Sequence, residues 1–322
     1  MKTQPKIIVI LGPTASGKTK LGVELARQFN GEIISADSRQ VYKGMDIGTG
    51  KDLAEYGTGK TAVKYHLLDV AEPKEQYDIK KYQKAAYEAI SGLIKQGKLP
   101  IIVGGSGLYI QAIVDGYELG EQGGRTTEAT EFEKLNLTEI QDMIVKADKA
   151  FFERLNNSEK NNKRRLIRYL EILKTSKSIV NQKPKINKPP YDFCIIGLEI
   201  GIDTLRKKIK ERIIKRLGSR FRGNDSGVDN DNMIDEVKRL YHDGLSWQRL
   251  ESFGLEYKFI AQFLQKKLTR EEMINKLAIA TGQFAKRQMT WFHRWEKQGR
   301  EIKWFKPNES KKIIKEIESF VK

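Results

Sequence analysis

Apolar positions change period several times along the chain, and each change marks an element. Ile7–Leu11 is an unbroken run rich in branched residues. The apolar positions after it, Leu21, Leu25, Ala26 and Phe29, recur at helical spacing, so the pattern predicts strand, loop and helix. Glu32–Ala36 predicts a second strand and Lys98–Val103 a third. Between them Tyr82, Ala86, Ile90 and Ile94 place one apolar face on a helix over 79–95. Phe193–Ile200 returns to strand character, and Leu205, Ile209, Ile213 and Leu217, spaced by four, predict a further helix. Strands alternating with helices in this way predict an α/β fold, a parallel sheet flanked by helices.

The alternation is interrupted. From about Tyr117 the texture becomes Gly- and Thr-rich and then helical with basic faces. Lys183–Pro190, with three prolines, reads as a linker. The expected organisation is a first core segment over 1–116, a smaller helical insertion over 117–189, and a second core segment with C-terminal helices over 190–322. Gly218–Asn232 has Gly, Ser, Asn and Asp without apolar periodicity and predicts an exposed loop.

Composition narrows the function. The 322 residues suffice for one large domain or about two of ordinary size. A single cysteine, Cys194, excludes an intramolecular disulfide framework and a Cys-based zinc site. No apolar run approaches the roughly 18 to 20 residues of a membrane span, and mean hydropathy is −0.56. We therefore expect a cytoplasmic protein with no membrane partner. The net charge is +17, unevenly spread: residues 1–118 hold 16 basic and 13 acidic residues, which leaves 43 and 29 for 119–322. A positive field concentrated there suits a polyanion, above all nucleic acid.

The sharpest local motif is Gly12-Pro13-Thr14-Ala15-Ser16-Gly17-Lys18-Thr19, a complete phosphate loop between the first strand and helix. Its backbone N–H groups and the helix start face an anion, Lys18 neutralises terminal phosphates, and Thr19 is placed to ligate Mg²⁺. The motif implies a di- or triphosphate without saying which. Asp37 follows the second strand, where a carboxylate lies beside the phosphate loop. It suits a general base, a partner to the groups around magnesium, or a helix N-cap. Ser106, in Gly104-Gly105-Ser106-Gly107, follows another strand. His66-Leu67-Leu68-Asp69 reads as a buried histidine satisfied by a carboxylate rather than a metal pair, because the chain has only three histidines. Arg212 lies on the basic face of the helix with apolar spacing of four. Lys286-Arg287-Gln288-Met289-Thr290-Trp291-Phe292-His293-Arg294-Trp295 interleaves cations with aromatics, a mixture that suits RNA. Phe284, Trp291 and Trp295 fall near one face and should be partly core.

Taken together these strings resemble the tRNA dimethylallyltransferase (tRNA isopentenyl transferase) family. The resemblance rests on Gly12–Thr19, Asp37-Ser38 with Val41-Tyr42-Lys43-Gly44-Met45-Asp46-Ile47-Gly48-Thr49, His66–Asp69, Val103–Tyr109, Arg165–Glu171 and Ala285–Phe292, in the family's order over nearly the whole chain. It implies a P-loop-type core, with dimethylallyl diphosphate held by Gly12, Thr14, Ala15, Ser16, Gly17, Lys18 and Thr19, and Mg²⁺ at Thr19. It implies catalytic roles for Asp37, Ser106 and Arg212. Its second substrate is the tRNA anticodon stem-loop, for which Asp37, Ser38, Arg39, Gln40, Lys286, Arg287, Gln288 and Trp291 are candidate contacts. Asn162, Lys163, Arg164, Arg165 and Arg168 are candidates in the insertion. The implied reaction is attack of an adenine amine on C1 of the diphosphate, in a protein expected to act as a monomer.

The chain departs from the family in places. Ser106 stands for the usual Thr, Gly254-Leu255 for Gly-Tyr, and Ala147-Asp148-Lys149 where Asp-Pro is common; the insertion is shorter, and 218–232 is an extra loop. Three other readings share the phosphate loop: an isopentenyltransferase acting on free adenine nucleotides, an ATP-dependent kinase, and a non-catalytic RNA-binding nucleotide switch. The basic second half argues against the first, the lack of a specified acceptor-binding lid against the second, and Asp37 and Ser106 at strand ends against the third.

Overall fold

The structure is a computed structural model that describes residues 4–119, 127–175, 186–218 and 232–322. The loop expected over 218–232 lies outside the described residues except for its two ends, as does the 183–185 part of the linker. The described residues form two compact units, 1–115 with 189–322, and 116–188.

The first unit is built on β1 (Lys6–Leu11), β2 (Gly31–Ala36), β3 (Tyr65–His66), β4 (Leu99–Gly104), β5 (Asp192–Leu198) and β6 (Lys303–Phe305). They form one parallel sheet in the order β3-β2-β4-β1-β5-β6. β1, β2, β4 and β5 stand where their apolar runs predict. β3 and β6 carry no such run: they are two and three residues long, at the sheet's edges, and none of their residues is fully buried. Register places the C-terminal ends together, with Leu11 opposite Gly104 and Gly197, and Ala36 opposite Gly104. The segments that begin at Gly12, Asp37 and Gly105 therefore leave the sheet at one edge, where parallel α/β sheets bind ligands.

Helices cover both faces. On one, α2 (Ile79–Lys95) and α3 (Gly107–Asp115) pack with Phe292 and Trp295 of α13 (Arg270–Lys297). On the other lie α1 (Lys18–Gln28) and α14 (Ser310–Val321). The buried seats of α2 are Tyr82, Ala86, Ile90 and Leu93. Leu93 thus takes the seat that strict four-residue spacing assigns to Ile94. A third cluster joins Val41, Tyr42 and Met45 to α9 (Ile202–Leu217), α10 (Met233–His242), α11 (Trp247–Ser252), α12 (Leu255–Leu264) and the first half of α13. Leu205, Ile209, Ile213 and Leu217 are all buried there, as their spacing predicts.

The turn from Tyr42 to Asp52 is held by two buried charges of opposite sign, one from α10 and one of its own. Glu236, 1% exposed, accepts from the backbone N–H groups of Asp46, Ile47 and Gly48 at 2.7, 2.7 and 2.9 Å and from the Tyr257 hydroxyl at 2.6 Å. Lys51, also 1% exposed, donates to the carboxylates of Asp46 and Asp69 at 2.5 Å and to the Tyr42 carbonyl at 2.8 Å. Each charge is held by enough partners to offset its desolvation. Asp69 is thereby engaged, and the carboxylate that satisfies His66 is Glu32, 2.8 Å away on the neighbouring strand; His66 is half-buried rather than buried, because β3 is the edge of the sheet.

The second unit comprises α4 (Thr127–Lys134), α5 (Leu137–Ala147), α6 (Lys149–Arg154), α7 (Asn157–Lys160) and α8 (Lys163–Thr175) around Phe132, Ile140, Ile144, Leu155, Leu166, Ile167 and Leu170. Asn136 and Asn156 close reciprocal capping boxes at the starts of α5 and α7. Among the described residues no helix is long and apolar enough to cross a membrane.

Glu236→Ala removes the acceptor of three backbone N–H groups, one of them buried, and of a buried phenol, so urea denaturation should show a loss of roughly 2–4 kcal/mol. A loss below about 1 kcal/mol would contradict the anchoring role of this carboxylate.

Candidate active site

The phosphate loop wraps the start of α1. Ala15 and Gly17 both have left-handed backbone, φ 62° and 87°, which turns successive peptide N–H groups toward one side. At Gly17 that conformation, rather than crowding, is the reason for glycine, since a Cβ there would meet nothing within 4 Å. The first-turn amides of α1 have no intrahelical acceptor. Lys18 folds back so that its Nζ donates to the Pro13 carbonyl at 3.0 Å. Burial pushes its pKa down to about 8 against the opposing pull of Asp37, so the loop holds a cation that is costly to keep charged without an anion.

A cleft of about 270 Å³ opens over the loop. Its walls include Thr14, Ala15, Gly17, Lys18 and Thr19 from the loop, Asp37, Arg39 and Gln40 after β2, Arg212 from α9, and Gln288 from α13. A larger hollow of about 580 Å³ on α1, lined by Lys20, Val23, Glu24, Arg27, Gln28 and Glu55, is more open and contains none of the loop's residues. Asp37 accepts from the Arg39 N–H at 3.0 Å through Oδ1. This local turn fixes the carboxylate at the strand end and leaves Oδ2 without a hydrogen bond among the described residues. Arg39 pairs with Glu256 at 2.8 Å and lies 4.8 Å from the Phe284 ring centroid. Gln40 donates to the carbonyls of Thr49 and Gly50 at 3.4 and 3.0 Å.

Several residues singled out in the sequence make hydrogen bonds that tie the site's segments together. Ser106 Oγ accepts from the Ser38 N–H at 3.1 Å, so it braces the turn that carries Asp37 and is not among the cleft-lining residues. Gln288 is 6% exposed. Its Oε1 accepts from the Thr14 N–H and its Nε2 donates to the Gly105 carbonyl, both at 2.9 Å, which ties the phosphate loop to the loop after β4. Trp291 donates to Gln111 Oε1 at 3.1 Å and has the Arg294 guanidinium 4.5 Å from its ring. The buried face of α13 here is Ala285, Gln288, Phe292 and Trp295, whereas Phe284 lines the cleft. Lys286 and Arg287 are exposed. In the second unit Arg164 is exposed, Arg165 pairs with Glu159 at 3.0 Å, and Arg168 pairs with Glu171 at 3.2 Å. The Gly254-Leu255 pair starts α12, with Arg39 packed over Gly254.

Asp52, Glu55, Lys208, Arg216, Glu256 and Thr281, which belong to none of the motifs, also line the cleft. For Lys208 and Arg216 a signal existed, since they lie one helical turn either side of Arg212. Two buried hydroxyls among the described residues have no hydrogen-bond partner: Ser16 Oγ in the loop and Thr281 Oγ1 in the cleft wall. Buried orphan hydroxyls mark where a ligand or water completes the site.

Comparison with known proteins agrees with this geometry. A family model described as IPP transferase matches residues 40–295. The chain is 42% identical over 298 residues to tRNA dimethylallyltransferase 2 of Shewanella sediminis, covering 92% of each, and 41% identical over 304 residues to tRNA dimethylallyltransferase 2 of Treponema denticola, covering 92% of this chain and 94% of that one. Among solved structures it is similar to a full-length tRNA isopentenylpyrophosphate transferase of Bacillus halodurans, with TM-score 0.65, 33% identity and coverage of 99% and 96%. It is also similar to a eukaryotic dimethylallyltransferase acting on tRNA, with TM-score 0.66, 26% identity and coverage of 89% and 69%.

The state of Lys18 sets a pH signature for anion binding. Below pH 8 the amine is already charged, and above it a bound anion must recruit the proton. Affinity for inorganic pyrophosphate should therefore lose up to about tenfold per pH unit above about pH 8, relative to Lys18→Arg, which stays charged throughout. Calorimetry at about pH 9 in two buffers of different ionisation enthalpy should show proton uptake in excess of that variant. Equal uptake in both proteins would contradict the assignment.

Proposed function

The chain belongs to the IPP transferase family, and we propose that it transfers the dimethylallyl group of dimethylallyl diphosphate to the exocyclic N6 amine of the adenine 3′ to the anticodon in tRNA, releasing pyrophosphate. The observation that carries this reading is a single cleft in which a phosphate loop with its lysine faces a carboxylate fixed at the next strand end. The relatives it matches over nine-tenths of its length are tRNA dimethylallyltransferases.

In this reading the N6 lone pair forms a bond to C1 as the C1–O bond breaks. Positive charge grows on the allyl carbon and negative charge on the leaving diphosphate. The loop amides and Lys18 bind that diphosphate through the transition state, when its charge is greatest. Arg212 of α9, 3.3 Å from Thr14 Oγ1, adds a second cation. The adenine amine is a poor acid until it has begun to bond to carbon. Asp37, with Oδ2 unengaged, receives its proton at that stage. Ser106 acts one step back, through the Ser38 N–H, by holding Asp37's turn in place. The adenine must leave the anticodon-loop stack to reach this cleft.

Magnesium is the ion this chemistry implies. The Thr19 hydroxyl, a hard oxygen donor in the cleft wall, suits Mg²⁺, an ion that takes few protein ligands and completes its shell with phosphate oxygens and water. Among the described residues no group of three or more His, Cys, Asp or Glu could hold a metal alone, so the diphosphate would complete the site. When bound, the ion offsets leaving-group charge. The exposed arginines Arg164, Arg165 and Arg168 of the second unit suit phosphates of the anticodon stem-loop, and the basic excess after residue 118 agrees. All the groups invoked come from one chain, so a monomer in the cytoplasm, where tRNA is found, suffices.

Asp37→Ala should keep tRNA binding and lower turnover by about 10² or more. Wild-type turnover in that variant would remove Asp37 from the mechanism. Replacing Arg165 and Arg168 together with Gln should weaken tRNA binding and flatten its dependence on salt by about one to two ions. An unchanged slope would place the RNA elsewhere.

A further inference from the structure

Two guanidiniums on α9 reach the cleft one helical turn apart, and one carboxylate holds both. Arg212 Nη2 lies 2.7 Å from Asp52 Oδ2, and Arg216 Nη2 lies 3.2 and 3.3 Å from the two oxygens of the same group. Beneath them is the bare backbone of Gly50, whose carbonyl is 3.4 Å from Arg212 Nη2. Gly50 has φ 70°, and a Cβ there would collide with both guanidiniums. The turn that carries Gly50 is the one anchored by Glu236, Lys51 and Gln40, so the floor under the two cations is rigid. The Arg216 side chain is 12% exposed and Arg212 29%, whereas Asp52 is 41% exposed. The cations are sunk and the anion sits at the mouth. Asp52 also occupies left-handed backbone, φ 44° and ψ 48°, which a non-glycine residue adopts at some cost.

Like charges this close repel unless an anion lies between them. Burial and the neighbouring Arg212 charge together lower the pKa of Arg216. We propose that Arg212 and Arg216 form a two-guanidinium phosphate site adjoining the phosphate loop, with Asp52 as its intramolecular occupant, displaced when a phosphate group enters. A phosphate offers the same oxygen fork as a carboxylate with more charge and a further oxygen, so two guanidiniums favour the exchange. Arg212 also touches Thr14 of the loop, which puts this site within reach of a diphosphate seated there. The exchange works in reverse: after transfer, Asp52 competes for the guanidiniums and speeds the departure of pyrophosphate. The phosphate can belong to the diphosphate donor or to the RNA backbone.

This inference rests on the cleft being the diphosphate site, and its test separates the two. Inorganic pyrophosphate is titrated calorimetrically with and without Mg²⁺, and anticodon stem-loop RNA by fluorescence anisotropy, against wild type, Asp52→Asn, Asp52→Ser, Arg216→Ala and the Asp52→Asn/Arg216→Ala pair. Both Asp52 variants should bind pyrophosphate about five- to twentyfold more tightly than wild type. Arg216→Ala should weaken binding by about tenfold and cancel most of the gain in the double variant. A gain confined to the RNA would support the same site with a backbone phosphate as its ligand. Weaker pyrophosphate binding in the Asp52 variants, as expected of a metal ligand, or no change with either ligand, would overturn the proposal. Wild-type protein that binds no pyrophosphate would overturn the reading of the cleft instead.

Discussion

Four parallel strands end in register at one edge, and the peptide groups that follow them have no ladder left to join. Buried backbone N–H groups need a partner, and at this edge the chain supplies it in three ways. In the loop after β1 the Thr14 amide donates to Gln288 Oε1, the turn after β2 takes Asp37 as its acceptor, and the loop after β4 lends Ser106 Oγ to the Ser38 amide. A phosphate cradle, a carboxylate and a bracing hydroxyl are therefore consequences of one topological fact: β1, β2 and β4 are neighbours with a common direction.

The remaining walls come from far along the chain. Gln288 bridges Thr14 and Gly105 from the middle of α13, and Arg212 and Arg216 reach Asp52 across about 160 residues. These contacts depend on the helical cluster of α9 to α13 being locked to the sheet. The locking element is Glu236 of α10, which takes three amides of the 42–52 turn, while Lys51 ties that turn to Asp69 after β3. Burying such charges is costly when they are half-satisfied and specific when they are fully satisfied. Both are fully engaged, so this turn is a rigid strut that presents Gly50 and Asp52 to the arginines.

What was legible in the sequence follows from this division. Local periodicity revealed β1, β2, β4, β5, α2 and α9, because each buries one continuous apolar face. It could not reveal β3 or β6, whose two and three residues bury too little to leave a pattern. On α2 it missed that Leu93, not Ile94, is the buried seat, and on α13 that Phe292 is core while Phe284 lines the cleft. Of the site, the phosphate loop and Asp37 were legible because both are fixed by adjacent strands. The duties of Ser106 and Gln288 were not, because each is set by a partner across the fold. His66 illustrates the point: its type announced a carboxylate partner, but the partner is Glu32 across the sheet, since Asp69 is taken by Lys51.

We propose that the phosphate loop serves an allylic diphosphate whose carbon chain goes to tRNA, and not a nucleoside triphosphate. The most direct measurement incubates the protein with unmodified tRNA, Mg²⁺ and labelled dimethylallyl diphosphate without ATP. Nuclease digests are read by mass spectrometry, and released pyrophosphate is counted. One dimethylallyl group on N6 of the adenine 3′ to the anticodon is expected for each pyrophosphate released. Label on AMP or ADP instead of tRNA, or transfer that requires ATP, would contradict it.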